Sequence, residues 1–118
     1  MEISEIQNGR QCTQYIQPVR DVLDIINGKW KLPILIALSL NNRRFKELQR
    51  TIEGISPRML SKELRDLEAN QLISRTVYDT VPVSVEYALT GYGRSLDTVI
   101  VSMREWGKKH RNKLFAKQ

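Results

Sequence analysis

Cationic and hydroxyl side chains recur every three or four residues in ISPRMLSKELRDLE, residues 55–68: Arg58, Ser61, Lys62 and Arg65. On a helix turning about 100° per residue, this spacing gathers them on one flank. Such a flank can donate hydrogen bonds to duplex DNA. The planar guanidinium matches the O6 and N7 acceptors of guanine, and lysine or serine reaches phosphates or bases. Ser56 is a good N-cap and Pro57 suits the first helical position, so the helix has a defined start. A helix N-terminus also attracts phosphate. Leu60, Leu64 and Leu67 fall on the opposite flank, and Glu63, Asp66 and Glu68 stay off the cationic line. Any helix over a core carries a charged outer face, so the wheel alone leaves both readings open.

Other chemistry is poorly supplied. Cys12 and His110 are the only residues of their types. One of each cannot build a zinc site within a chain, and nothing places them together as a nucleophile pair. No paired carboxylates stand in a catalytic context. Gly91 and Gly93 precede a helix without completing a phosphate-binding loop. No catalytic residue, metal ligand or cofactor is therefore expected, and the chain does not read as an enzyme. Trp30 and Trp106 read as core or dimer anchors.

The charge suits nucleic acid or another anionic surface, although many basic proteins bind neither. The formal net charge is +6 with a pI near 9.7, and residues 91–118 carry seven basic groups against two acidic ones. No apolar run approaches the roughly 20 residues of a membrane span, and the first residues lack the apolar core of a signal peptide. With a single cysteine, these features predict a cytoplasmic protein in a reducing compartment, without membrane association.

The elements that must position the cationic flank can be read along the chain. Residues 1–17 read as a loose N-terminal arm. Pro18 then opens a short helix with Val19, Leu23 and Ile26 at helical spacing and Gly28 closing it. KWKLPILIALSL is apolar nearly all round and predicts a central buried helix, with Pro33 tolerable in its first turn. NNRR, residues 41–44, is a turn and a short extended piece before a small helix, FKELQRTI. The capped helix spans about 56–71. LISRTVY and VSVEYAL predict a β-hairpin over 72–89 with DTVP at its tip. Thr90 caps a last helix, about 90–116. The fold class is mainly α with a small antiparallel hairpin. Two helices joined by a tight turn and followed by a hairpin make a winged helix-turn-helix domain, here residues 18–118.

At this level of detail the sequence resembles the HxlR-type regulators, a branch of the MarR-like winged-helix proteins. The resemblance extends from Cys12 to Trp106 and rests on INGKWKLPIL (26–35), RRFKEL (43–48), GISPRMLSKELRDLE (54–68) and VEYALTGYGRSL (85–96). It implies a homodimer joined through the first and last helices, with Val19, Leu23, Leu96, Val99, Ile100, Met103 and Trp106 at the interface. It implies that Ser56, Pro57, Arg58, Ser61, Lys62 and Arg65 face the major groove of an inverted-repeat operator. Arg75 and the wing tip would lie near flanking backbone or minor groove, and Arg43, Arg44 and Lys46 near phosphates. The wing departs from the pattern: Val83 and Ser84 stand where proline and a basic residue are common, and Asp79 is acidic. Several relatives sense oxidants or electrophiles through an N-terminal cysteine, which makes Cys12 a candidate redox sensor, with packing as the alternative.

Two classes of function follow. The first is a dimeric, sequence-specific regulator, read as a repressor, of double-stranded DNA, with an effector the sequence does not name. The second is a winged-helix protein-interaction module without DNA recognition, which the neutral wing favours.

Overall fold

The computed structural model describes residues 2–116. The most apolar stretch forms α2 (Lys31–Leu40), and Ile34, Leu35 and Leu38 on it are fully buried. Pro33 lies in the first turn, where its missing N–H would have had no intrahelical acceptor. Around α2 pack α3 (Phe45–Thr51) and α4 (Pro57–Ala69), through Leu48 on the first and Leu60, Leu64 and Leu67 on the second.

The start and stop of α4 follow from local chemistry. Ser56 Oγ accepts from the Met59 N–H at 3.1 Å, and Pro57 fills the first helical position. Ile55 and Leu60, on either side of the cap, are both buried and staple the entering chain to the core. At the other end Leu72 N–H donates to Leu67 O at 3.0 Å and Gln71 N–H to Glu68 O at 2.9 Å. This Schellman closure puts Gln71 in the left-handed region at φ 62°.

The chain passes directly from there into β1 (Ile73–Tyr78), which pairs antiparallel with β2 (Ser84–Leu89). The register runs from Ile73 opposite Leu89 to Tyr78 opposite Ser84. Arg43 adds a single antiparallel bridge to Tyr87, the short extended piece expected from NNRR. The architecture is a winged helix-turn-helix, with α3 and α4 as the helix pair and β1–β2 as the wing.

Two boundaries differ from expectation. The first helix, α1 (Gly9–Ile26), begins nine residues before Pro18 and takes in half of the segment read as an arm. Asn8 caps it, its Oδ1 accepting from the Gln11 N–H at 2.9 Å. Pro18 lies inside the helix, and the Gln14 carbonyl that loses a partner is on an exposed residue. The last helix is split into α5 (Gly91–Arg94) and α6 (Asp97–Phe115). Thr90 Oγ1 accepts from Gly93 N–H at 2.9 Å and donates to Gln71 O at 2.6 Å, so α5 is tied to the α4–β1 junction. A Cβ at position 93 would stand 2.1 Å from the Leu72 carbonyl oxygen, so only glycine fits. Gly91 and Gly93 thus belong to a packing turn.

One ion pair crosses this core. Lys31 and Glu63 are 4% and 6% exposed, and Lys31 Nζ lies 2.7 Å from Glu63 Oε2. Removing one partner leaves a buried charge with only a longer contact, to Lys62 at 3.6 Å for Glu63 or to Asp66 at 3.3 Å for Lys31, and such a loss costs about 3–5 kcal/mol, whereas replacing both with apolar groups is often neutral. Urea unfolding of Lys31→Met should therefore show a loss of about 3–5 kcal/mol, and the Lys31→Met/Glu63→Leu protein should regain most of it.

Candidate nucleic-acid interface

The outward flank of α4 is where the sequence placed it. Arg58, Lys62 and Arg65 are exposed and Ser61 is half-buried. Ser56, Arg58, Met59, Lys62 and Arg65 line one depression of about 270 Å³. Ser61, Arg65 and Arg75 line a second, of about 390 Å³, between α4 and the hairpin, with Leu64, Glu68 and Tyr87. Arg65 belongs to both, so the cationic surface runs unbroken from the first turn of α4 to β1. Arg75 reaches that surface because β1 starts two residues after the α4 closure and sets it opposite Tyr87.

The cationic residues are not equivalent. Among the described residues Arg58 and Arg65 make no ion pair, so both forks are free to donate. Lys62 is held instead: its Nζ lies 3.2 Å from Asp66 Oδ2 and 3.6 Å from Glu63 Oε1. Asp66, one turn along, also accepts from Lys31 Nζ at 3.3 Å. The wheel kept the carboxylates off the cationic line, but at i, i+4 the side chains are long enough to meet.

Arg43 is partly engaged within the fold. Its Nε donates to Ala37 O at 3.1 Å and its Nη1 to Thr51 Oγ1 at 3.4 Å. These bonds clamp the end of α2 to α3 and leave the half-buried guanidinium with three of its five N–H donors. Arg44 and Lys46 remain exposed at the start of α3. Ser56 is committed to its cap, although its hydroxyl proton is still free to donate to a ligand.

The wing tip is largely apolar and carries no positive charge, Asp79 being its one charged group. Val77, Val81 and Val83 are exposed, and Thr80 Oγ1 donates to Pro82 O at 2.7 Å across the turn. Val83 lies outside β2, so the strict alternation read from position 83 begins one residue later.

Of the residues expected at a subunit interface, Val19, Leu23, Val99, Met103 and Trp106 are exposed, Trp106 at 68%. Leu96 and Ile100 differ from these: both are half-buried against the subunit's own core, because α6 docks there by its first turn. Beyond that turn no residue of α6 is buried, and α1 buries only Ile26. Ile16, Val19 and Leu23 leave an apolar stripe on α1; Val99, Met103 and Trp106 leave one on α6, with His110 stacked on Trp106 at 5.1 Å between ring centroids. The radius of gyration is 17.7 Å, against about 13–14 Å for a compact chain of this length. Cys12 sits half-buried in the first turns of α1.

Sequence reasoning missed the Lys31–Glu63 pair and the Asp66 tether. The signals were present: a lysine opens an otherwise apolar helix, and Glu63 falls beside Leu67 on the wheel.

A capped helix lying against a helix pair and a two-stranded wing, with free guanidinium groups outward, defines the winged helix-turn-helix class of transcriptional regulators. Within it, the chain belongs to the HxlR-like helix-turn-helix family, whose model matches residues 25–115. It is 44% identical over 97 residues to the HTH-type transcriptional regulator YdeP of Bacillus subtilis, covering 82% of this chain and 76% of YdeP. The solved structure of the redox regulator HypR in its reduced form superposes with a TM-score of 0.79 at 41% identity, covering 85% of this chain and 99% of HypR. That of the HTH-type regulator YtcD gives 0.78 at 44% identity, over 80% of this chain and 96% of YtcD. No helix among the described residues is long and apolar enough to cross a membrane.

The ion pairs on α4 fix the sign of one pH effect. The hydrogen bond from Lys62 holds the Asp66 carboxyl below the usual aspartate range, and the bond to Asp66 raises Lys62 above the usual lysine value. A carboxylate with a lowered folded-state pKa stabilises the fold above its unfolded value and loses that contribution as pH falls through the folded one. The stability difference between wild type and Asp66→Asn should therefore be constant through neutral pH and shrink below about pH 4. Urea unfolding at a series of pH values measures it.

Proposed function

We propose that two copies of this chain pair through the exposed stripes of α1 and α6 and bind an inverted-repeat operator, one α4 in each of two major-groove segments. The observation that carries the reading is the outward flank of α4, with the unpaired guanidinium groups of Arg58 and Arg65. Arg58, Ser61 and Arg65 read bases, Ser56 and the helix N-terminus take a phosphate, and Pro57 faces the groove without donating. Arg75, Arg44 and Lys46 contact flanking backbone, and the neutral wing lies along the duplex without a cationic anchor. A dimer of this kind places half-site centres about 34 Å apart, one helical turn. Occupancy of such a site blocks transcription, which makes the protein a cytoplasmic repressor. The rival, a protein-interaction module without DNA recognition, has the apolar wing tip in its favour, but it leaves the free arginines without a ligand.

Cys12 is the thiol through which this regulator responds to oxidants or electrophiles. Its support is the likeness to a redox regulator and its place on a helix assigned to the subunit interface. A thiol oxidant should change operator affinity of the wild type and leave Cys12→Ser unaffected; an equal response from both proteins would remove the sensor role.

Fluorescence anisotropy with DNA upstream of the chain's own gene tests the main reading. Arg58→Ala should weaken operator binding by about 1–3 kcal/mol per half-site, about 5- to 150-fold for each, and relax preference at one base pair per half-site. Equal affinity for wild type and variant, on operator and scrambled DNA alike, would favour the interaction module.

A further inference from the structure

The cationic flank of α4 carries a carboxylate cluster that the DNA-binding reading does not use. Lys31, Lys62, Glu63 and Asp66 form a chain of four alternating charges from the core to the surface. The inner pair is buried at 2.7 Å, and the outer one, Lys62 to Asp66, is solvent-exposed at 3.2 Å. Asp66 Oδ2 joins the halves by accepting from both lysines. Because Lys31 is anchored by Glu63 inside the fold, Asp66 is steered from below and is not a freely rotating surface group. The four charges sum to zero. Lys62 therefore adds no net positive charge to the flank, in contrast to Arg58 and Arg65.

We propose that Asp66 is a specificity-determining residue: by holding the Lys62 ammonium on the protein, it suppresses attraction to arbitrary duplex and leaves recognition to Arg58 and Arg65. The physical basis is the division of labour in DNA binding. Phosphate contacts by lysine act on any sequence, whereas bidentate arginine contacts discriminate bases. A carboxylate beside the groove also repels the nearest phosphates, and only well-placed arginine–base bonds offset that repulsion. The brake discriminates because the base bonds of Arg58 and Arg65 fix α4 on the operator, whereas on arbitrary duplex α4 is free to shift until a released Lys62 meets a phosphate.

The inference rests on α4 being the DNA-reading helix, and the experiment separates the two claims. Asp66→Asn keeps side-chain size and leaves Lys31–Glu63 intact. Kd values for operator and scrambled duplex are measured across a salt series for wild type, Asp66→Asn, Asp66→Ala, Asp66→Glu and Arg65→Ala, with thermal melting to confirm folding. The expected result is several-fold tighter binding of Asp66→Asn and Asp66→Ala to scrambled DNA and a reduced operator-to-scrambled ratio. The slope of log K against log salt should steepen by about 1.8, one additional phosphate neutralised by each of the two subunits. Asp66→Glu should stay near wild type. An unchanged slope and ratio in the neutral variants, with Arg65→Ala still weakening the complex, would overturn the brake alone. Indifference of binding to Arg65→Ala as well as to the neutral variants would overturn both claims.

Discussion

A buried lysine opposite a buried glutamate governs how α4 is presented. The leucines of α4 require only that one flank face the core, and an apolar stripe tolerates some rotation about the helix axis. An ion pair does not. Lys31 stands at the start of the central helix, where its ammonium has lost bulk water, and Glu63 is the group that neutralises it at 2.7 Å. Any rotation of α4 that carried Glu63 away would leave two charges in low dielectric, a penalty larger than a few lost apolar contacts. The direction in which Arg58 and Arg65 point is thus fixed from the inside of the domain. The same pair reaches outward through Asp66 to Lys62, so the orientation of the helix and the charge on its flank are set by one connected group of side chains.

The remaining elements serve that presentation or extend from it. The Schellman closure at Gln71, the Thr90 hydroxyl and the glycine at 93 weld the end of α4 to the wing and to the root of α6. The wing therefore cannot move independently of the helix beside it. By contrast, α1 and most of α6 stand clear of the domain with apolar side chains in solvent. A monomer gains nothing from that exposure, and the elongated shape leaves both stripes accessible to a second copy.

Much of this was legible in the sequence because it follows from local rules. The Ser56–Pro57 cap, the Ile55–Leu60 staple, the buried character of KLPILIALSL and the alternation in VSVEYAL each fixed an element within a residue or two. The less legible features depend on neighbours distant in sequence. Arg43 looked like a phosphate ligand because it lies beside Arg44 and Lys46, yet its partners are a carbonyl at Ala37 and a hydroxyl at Thr51. Pro18 suggested a helix start, but Asn8 supplies a better cap and an exposed carbonyl makes an internal proline tolerable. Leu96 and Ile100 share the α6 stripe with Met103, and only the docking of its first turn reveals that they serve the subunit's own core. At the site, the arginines were readable from spacing, and the Lys62–Asp66 pair lay within reach of the i, i+4 rule; the tie of Asp66 to Lys31, 35 residues away, was not.

The central claim is geometric: two copies of α4, held by α1 and α6, face the same side of the dimer one helical turn apart. Pulsed electron paramagnetic resonance on Arg58→Cys protein in a Cys12→Ser background, spin-labelled at position 58, measures it without DNA. The account predicts one dominant inter-subunit distance of about 34 Å. Absence of dipolar coupling, or a single distance far from one helical turn, would contradict it.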